Sequence, residues 1–441
     1  MEVHFGIQNI IFVVVLATAV FFFARSFRRI WRNIKLGRDI NRSDRPGERW
    51  ALMSKVALGQ TKMVKRRWVA GFFHVLIYVG FVLINIEVAE ILIDGLFGTH
   101  RIFRAPLGPV YDVAISFFEI LAVLVILACV VFLWRRNVNV VPRLRDLKDW
   151  PKRDGNYILL IELVLMIALL VMGAAEANMV NNPNDGWVIS GLLAPMFSGV
   201  SQENLVLIER VAWWFHLIGI LLFLNYLPIS KHFHIIMSFP NVWHSKLEPN
   251  GQFSNLESVK KEVELMMDPD ADPYAAEPAS DEPEEEPDRF GAKDVMDLNW
   301  VQLMNAYACT ECGRCTASCP ANITGKKLSP RKIMMDTRDR LSEVGKNIDA
   351  NKGQFKEDGK SLLDDYISRE ELWACTTCNA CTEACPVNID PMGIIVDMRR
   401  YLVMEESSAS AQVNTMMTNV ENNAAPWAYA QADRANWINE E

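Results

Sequence analysis

Hydrophobic residues in the first half of the chain gather into long uninterrupted runs, whereas the second half mixes short apolar stretches with many charges. Five apolar runs lie near 8–25, 68–94, 110–134, 157–176 and 205–229. A helix that crosses a bilayer takes about 20 apolar residues, so the pattern predicts five membrane spans rather than the buried helices of a large soluble protein. The arginines near the first run follow it, which is not typical of a cleaved signal peptide, and we expect the run to remain as an anchor.

Basic residues alternate between the loops that join these runs. Fourteen Lys or Arg lie from Arg25 to Arg67, and seven lie from Arg135 to Arg153, whereas the other two loops are nearly free of them. Basic loops stay on the cytoplasmic side. We therefore expect a bacterial cytoplasmic (inner) membrane protein with its N-terminus outside and everything after the fifth span in the cytoplasm.

The second half begins with a strongly acidic segment. Residues 268–288 contain ten acids and five prolines without a single Lys or Arg, and such a stretch cannot bury enough apolar surface to fold alone. The acidic segment is predicted to be either a tether or an acidic docking strip for a basic partner. The net charge of −8 gives no support for nucleic acid binding.

Eight of the nine cysteines occupy two runs of identical spacing, CTECGRCTASCP at 309–320 and CTTCNACTEACP at 375–386. Each reads C-x-x-C-x-x-C-x-x-x-C-P, typical of two-cluster ferredoxins in which the fourth cysteine of each run binds the other cluster. Structural zinc usually pairs two separate C-x-x-C units, and disulfides need an oxidising compartment. The spacing therefore predicts two [4Fe–4S] clusters, one held by Cys309, Cys312, Cys315 and Cys385, the other by Cys375, Cys378, Cys381 and Cys319.

Helix signals surround both cysteine runs. Ser329 precedes Pro330, Ser368 and Glu371 form a predicted capping box, and Asp390 with Pro391 opens a last amphipathic helix. No strand alternation is visible, so the fold class predicted is all-α, a five-helix transmembrane bundle followed by an α-helical dicluster ferredoxin. The predicted domains are a membrane domain (1–245), an acidic linker (246–289), a cluster domain (290–403) and a polar tail (404–441). Aromatic residues in that tail predict either a docking segment or a flap onto the protein's own surface.

Histidine is scarce, and its placement is informative. His74 lies in the second span, His216 lies in the fifth, and His232 and His234 follow the fifth. His216 and His234 are 18 residues apart, which is five helical turns, so both are expected to project from the same face, about 27 Å apart along the axis. Polar residues inside a membrane tend to be functional, so histidines on facing spans predict haem ligation against the alternative of packing. The carboxylates within spans are candidates for moving the protons of quinone chemistry: Glu87, Glu90, Glu119 and Glu162.

Two segments resemble the cytochrome b of the nitrate reductase gamma-subunit family. HLIGILLFLNYLPISKHFHII (216–236) is similar to the fifth span of that family, and FFHVLIYVGFVL (72–83) is similar to the second. The resemblance implies that one haem b is held by His74 and His234. A second, distal haem would pair His216 with a histidine where this chain has Ile84, so His216 is left without its family partner.

The half that contains the cysteines, from FGAKDVMDLNW (290–300) onward, is similar to the iron–sulfur subunit of heterodisulfide reductases. Membrane relatives fuse a cytochrome b, this dicluster domain and a cysteine-rich CCG domain. This sequence stops before a CCG domain, so the resemblance implies that the catalytic step belongs to a separate CCG-domain iron–sulfur subunit or flavoprotein.

The function expected is electron transfer between membrane quinone, such as menaquinone, and a cytoplasmic redox partner. One haem b and two [4Fe–4S] clusters would form the path. Two alternatives remain open: a haem-free membrane-anchored ferredoxin relay, and the redox component of an ion-pumping or transport complex.

Overall fold

The described residues of the computed structural model, 6–180, 186–269 and 289–439, form helices and turns without any strand. This confirms the all-α prediction. The helices of at least eight residues, labelled in chain order, are α1 (Ile7–Ile34), α2 (Pro46–Met53), α3 (Trp68–Phe97), α4 (Pro109–Asn137), α5 (Asp149–Val180), α6 (Gln202–Tyr226), α7 (His234–Trp243), α8 (Glu257–Met267), α9 (Trp300–Ala308), α10 (Pro330–Ala350), α11 (Pro391–Met404) and α12 (Ala411–Asn423).

Five of these helices, α1, α3, α4, α5 and α6, are long and apolar enough to cross a membrane. They pack as a bundle in which α5 contacts α4 and α6, α3 contacts α4, and α1 contacts α3 and α6. Large apolar side chains such as Val130 and Leu222 are exposed on the outside of the bundle. An apolar outer surface is what a helix bundle presents to lipid, so the predicted spans are confirmed as membrane-length helices.

The fifth span does not continue to His234 as a single helix. It ends at Tyr226 and is followed by two short turns, Leu227–Ile229 and Lys231–Phe233, before α7 starts at His234. Pro228 lies in the first turn and has no backbone N–H for a further helical hydrogen bond. The expectation of one helical face shared by His216 and His234 is therefore wrong, because the helix is interrupted between them and the backbone at Ser230 is extended.

The helices of the C-terminal half begin where the sequence predicts. The side chain of Ser329 accepts from the backbone N–H of Lys332, Ser368 and Glu371 form a capping box, and the Asp390 carboxylate accepts from the N–H of Gly393. These caps satisfy backbone donors that have no partner inside the helix. They fix the helices that flank the two cysteine runs.

The C-terminal half packs directly against one end of the membrane bundle. One hydrophobic core contains Ile34 of α1, Phe223 of α6 and Met237 of α7 together with Leu303 and Met304 of α9. The same end carries the two basic loops, since Arg143 donates to the carbonyl oxygen of Cys312 and Lys62 donates to that of Thr382. The cluster half is therefore seated on the bundle rather than held only by the acidic segment.

Two predicted segments can be placed only in part. The acidic stretch lies almost entirely outside the described residues, after α8 and Asp268. The tail contains a helix that the sequence pattern did not predict, α12, which buries none of its side chains. Beyond it, Trp427, Tyr429 and Trp437 are exposed.

Candidate functional site

The two cysteine runs fold into loops of matching backbone conformation. Glu311 and Gly313 in the first loop and Thr377 and Asn379 at the equivalent positions of the second all have positive φ. Left-handed residues at alternate positions curl the chain tightly, and the first three cysteines of the first run line one cavity. A Cβ at Gly313 would lie 2.8 Å from the carbonyl oxygen of Arg143, which explains the glycine there.

The structure brings cysteines of the two runs together in a crossed arrangement. Cys309, Cys312, Cys315 and Cys385 line one cavity. Cys375 has Cys319 and Cys378 as neighbouring thiols, and Cys381 lies near Cys375. The fourth cysteine of each run thus lies beside the cysteines of the other run.

The spacing of the sulfurs argues against a single metal ion. A Zn–S bond of about 2.3 Å would bring the sulfurs of a zinc site within about 4 Å of one another. In the described part of the chain, the one trio with ligand atoms within 4.8 Å is His100, Glu176 and Glu209, with no cysteine in it. No three cysteine sulfurs of the described residues lie that close together, and thiolates that bind the different irons of one cube are farther apart than those on one zinc ion.

Several of the buried thiols need a bound cation to ionise. Burial raises the pKa of Cys309 to about 12 and that of Cys385 to about 11. Burial also raises the pKa of Cys381 to about 12. Coordination to a metal deprotonates a thiol outright, and none of the cysteines forms a disulfide. The donor set therefore fits iron–sulfur clusters.

Cationic side chains surround both loops, and sequence reasoning did not assign them to the site. Arg143 donates to the carbonyl oxygen of Cys312 at 3.0 Å, and Arg399 donates to that of Leu372 at 3.0 Å and also to that of Cys375. Arg314, inside the first cysteine run, donates to the carbonyl oxygen of Lys62. Positive charge and hydrogen bonds near a cluster raise its reduction potential. The only sequence signal was the position of Arg314 between two ligand cysteines.

His74 and His234 come together beside the first cysteine group. Their ring centroids lie 6.4 Å apart. A metal–imidazole bond is about 2 Å long, so two axial imidazoles on one iron would have ring centres about 6 Å apart. Both histidines line the same cavity of about 270 Å³ as Cys309, Cys312 and Cys385.

His234 has a hydrogen bond that suits a metal ligand, and His74 has a buried ring nitrogen without a partner. Nδ1 of His234 lies 3.0 Å from the carbonyl oxygen of Lys231, which leaves Nε2 as the ligand nitrogen, and ligating histidines commonly hold their other ring nitrogen in this way. Nδ1 of His74 is buried without a hydrogen-bond partner among the described residues. A buried imidazole with so few partners needs compensation, so the residues fit a bis-histidine haem.

His216 lies in a different place from the other two candidates. Its Nδ1 is 2.9 Å from the carbonyl oxygen of Leu165, and it lines a second cavity together with Ile84. His232, which had no assigned role, connects the two regions. Its Nε2 is 3.5 Å from a carboxylate oxygen of Glu162, and its ring centroid is 5.4 Å from that of His234.

A buried ion-pair network joins the membrane bundle to the first cysteine loop. Nζ of Lys231 lies 2.9 Å from one carboxylate oxygen of Glu311, and Arg338 lies 2.7 Å from the other. The backbone N–H of Lys231 donates to Asp154 of α5 at 3.0 Å. The same residue whose carbonyl contacts His234 is thus bonded to the loop between Cys309 and Cys312.

Comparison with known proteins agrees with this geometry. Residues 308–389 match the family model of the 4Fe-4S dicluster domain. The probable iron-sulfur-binding oxidoreductase FadF of Bacillus subtilis is 30% identical over 98% of this chain and 61% of its own length. The EtfAB:quinone oxidoreductase of Syntrophomonas wolfei is 27% identical over 91% of this chain and 55% of its own length.

A shorter match concerns the cluster half. One subunit of the ferredoxin/F(420)H(2)-dependent CoB-CoM heterodisulfide reductase of Methanosarcina acetivorans is 31% identical over 26% of this chain and 56% of its own length. No solved structure matches the chain. The chain spans less than two thirds of the two longer relatives. Its described residues form an α-helical protein with five membrane-length helices and a 4Fe-4S dicluster domain, and its relatives are iron–sulfur oxidoreductases and heterodisulfide reductase subunits.

Proposed function

We propose that this protein transfers electrons between quinone in the bacterial inner membrane and a redox partner in the cytoplasm. One haem b would be held by His74 and His234. The two clusters would be held by the crossed sets of cysteines, Cys309, Cys312, Cys315 and Cys385 for the first, and Cys375, Cys378, Cys381 and Cys319 for the second. Iron–sulfur electron transfer itself agrees with the dicluster domain and the oxidoreductase relatives.

The observation that supports this proposal best is the shared cavity. The two histidines and the first set of cysteines line the same space although they come from the membrane bundle and the cluster half. Cofactors bound there would be neighbours, as electron transfer requires. Haem and [4Fe–4S] clusters both supply one-electron transfer, with potentials set by ligands, hydrogen bonds and solvent exposure.

Several residues of this chain have distinct roles in the proposed electron-transfer path. Lys231 orients His234 through its carbonyl oxygen, and the arginines near Cys312 and Cys375 offset the negative charge of the clusters. Of the eight cysteines in the two runs, Cys378 is the exposed one. The second cluster is therefore the proposed point of exchange with the partner.

The proposed orientation rests on the basic loops. They lie at the same end of the bundle as the cluster half, and basic loops remain in the cytoplasm. The N-terminus would then lie outside and both clusters would lie on the reducing side. The quinone is supported by the relative named as an EtfAB:quinone oxidoreductase.

The partner is proposed to be a flavoprotein or a CCG-type iron–sulfur subunit that contacts the tail. The supporting observation is the exposure of Trp427 and Trp437, at 62% and 71%, since exposed aromatic patches mark interaction sites. Affinity purification with the full chain and with a chain shortened at Met404 tests this. Recovery of the same partner by both would contradict docking through the tail.

The haem assignment has a direct test. Replacement of His74 or His234 by Ala should remove the b-type absorbance of the dithionite-reduced protein and leave the iron of the clusters in place. His244→Ala is the matched control, because His244 lies outside the cavity and contacts the ring of Trp300 edge to face. Loss of haem in a His216→Ala protein with retention in His234→Ala would move the haem to the second cavity. Wild-type protein without haem absorbance would favour the haem-free relay.

A further inference from the structure

A second cavity of about 90 Å³ lies inside the membrane bundle, away from the proposed haem. Its walls come from α3, α4, α5 and α6, and are formed mainly by apolar side chains such as Ile84, Val125 and Leu165. Ligand sites are commonly apolar clefts with a few converging polar groups. Three polar side chains line this one, Glu162, His216 and Asn85.

The cavity reaches the outer surface of the bundle. Phe81 and Asn85 line it, and both are exposed on the side of α3 that faces outward. In a bilayer that side is covered by lipid. A ligand would therefore enter sideways from the membrane, which requires a lipid-soluble molecule.

Glu162 has weaker partners than Glu90 and Glu119, two other buried carboxylates of the bundle. Glu90 accepts from the hydroxyl of Tyr111 and the backbone N–H of Phe103, and Glu119 accepts from two backbone N–H groups. Glu162 is 9% exposed, and its contacts are the thiol of Cys129 and Nε2 of His232, each at 3.5 Å. A carboxyl group with such weak partners is costly inside a membrane and indicates a function.

His216 also has one nitrogen to offer. It is 1% exposed, and its Nδ1 lies 2.9 Å from the carbonyl oxygen of Leu165. Nδ1 is then the protonated nitrogen, and Nε2 is an acceptor. The cavity thus offers two groups that can each take a proton from a ligand hydroxyl.

The cavity is connected to the proposed haem site by one side chain. His232 lies between Glu162, at 3.5 Å, and His234, whose ring centroid is 5.4 Å away. A ligand that gives up electrons and protons in the cavity would be separated from His234 by the side chain of His232. This combination is what a quinol oxidation or quinone reduction site needs.

We propose that this cavity binds the head group of a quinone, with Nε2 of His216 and the carboxyl group of Glu162 hydrogen-bonded to its oxygens. The inference rests on the proposed function and adds the location and the proton-handling residues. Oxidation of one quinol breaks two O–H bonds; one proton goes to Glu162 and the other to His216. The two electrons leave singly to the one-electron carriers of the proposed function, and reduction of the quinone reverses each step.

Binding is tested with 2-heptyl-4-hydroxyquinoline N-oxide, a fluorescent quinol analogue that is quenched when bound, on the full chain in detergent. Ile84→Phe fills the cavity, whereas Ile86→Phe adds the same bulk two residues away, where Ile86 is exposed to lipid. We expect Ile84→Phe to weaken binding at least about tenfold and Ile86→Phe to bind like wild type. Equal binding by both variants would overturn the site.

Glu162→Gln tests proton handling, because it keeps the shape of the carboxyl group. The variant should bind the analogue nearly as wild type does, but its reduction by menadiol should be about tenfold slower or more. Glu162→Asp should restore part of the rate. Unchanged reduction by Glu162→Gln would remove Glu162 from the proposal.

The outcomes separate this inference from the proposed function. If menadiol reduces neither haem nor clusters in wild type, the proposed function fails. If wild type and Ile84→Phe are reduced equally fast, only the location of the quinone fails. Iron content and haem absorbance are measured for every variant, and Val88→Phe, which fills the same cavity from another position, replaces Ile84→Phe if the latter does not fold.

Discussion

Cys319 and Cys385 each end a run of four cysteines, yet each lies beside the cysteines of the other run. The reason is local. The three preceding cysteines of each run sit in a tight loop with left-handed residues, and the backbone then leaves that loop before the fourth. A short turn after Cys315, Thr316–Ser318, carries Cys319 out of the first loop toward the second.

Substitution of Cys319 tests this crossed arrangement. Cys319→Ser should lose the cluster otherwise bound by Cys375, Cys378 and Cys381, and leave about four irons of the eight that two cubes contain. Cys129→Ser is the control, because Cys129 lies in α4 and outside both runs, and it should keep about eight irons. Iron analysis with electron paramagnetic resonance distinguishes the clusters. A full iron content in Cys319→Ser would contradict the crossed assignment.

At the scale of elements, the start of α11 connects a helix to the second cysteine loop. The Asp390 carboxylate caps the helix at Gly393 and also accepts from the hydroxyl of Thr382, at 3.0 Å. The backbone N–H of Asp390 donates to the side chain of Asn305 in α9 at 2.7 Å. One residue therefore joins α9, α11 and the loop that ends at Cys385.

Removal of that cap should loosen the second cluster. Asp390→Ala is expected to cost about 1 kcal/mol of stability through the lost cap, and to lower the temperature at which the second cluster bleaches. The measurement is thermal bleaching of the cluster absorbance. Ser410→Ala is the matched control, because Ser410 caps the exposed helix α12 and should leave the bleaching temperature unchanged. Equal effects of both substitutions would show that the Thr382 contact is unimportant.

At the scale of the whole molecule, two halves meet through a buried charged network. Lys231, Glu311 and Asp154 have side chains that are 9%, 3% and 3% exposed. Buried charges are tolerated when they are paired and hydrogen-bonded, and removal of one partner is strongly destabilising. The network therefore fixes the first cysteine loop relative to His234.

Loss of the Lys231 charge should weaken this junction. Lys231→Met keeps the carbonyl contact to His234 but leaves Glu311 with Arg338 alone, and we expect a loss of roughly 3 kcal/mol. Lys65→Met removes a cation from an exposed pair with Glu383 and should cost no more than about 1 kcal/mol. Unfolding by denaturant, followed through cluster absorbance, gives both values. Similar values for the two variants would show that the network adds no stability.

The sequence by itself determined the local features of this protein. The five apolar runs, the caps at Ser329, Ser368 and Asp390, and the repeated cysteine spacing all follow from residues close together in the chain. Helix formation depends on neighbours three or four residues away, and cluster ligation depends on short loops. Such features are visible in sequence because each is specified within about twenty residues.

The tertiary structure decided which distant residues meet. His74 approaches His234 because the helix of the fifth span ends at Tyr226. Lys231 contacts Glu311 because the cluster half packs on the end of the bundle. Ile84, His216 and Glu162 surround a cavity although they lie on three different helices. These contacts depend on how whole helices pack. A periodic pattern along one helix specifies which of its faces is apolar, but not which residues of another helix that face will contact.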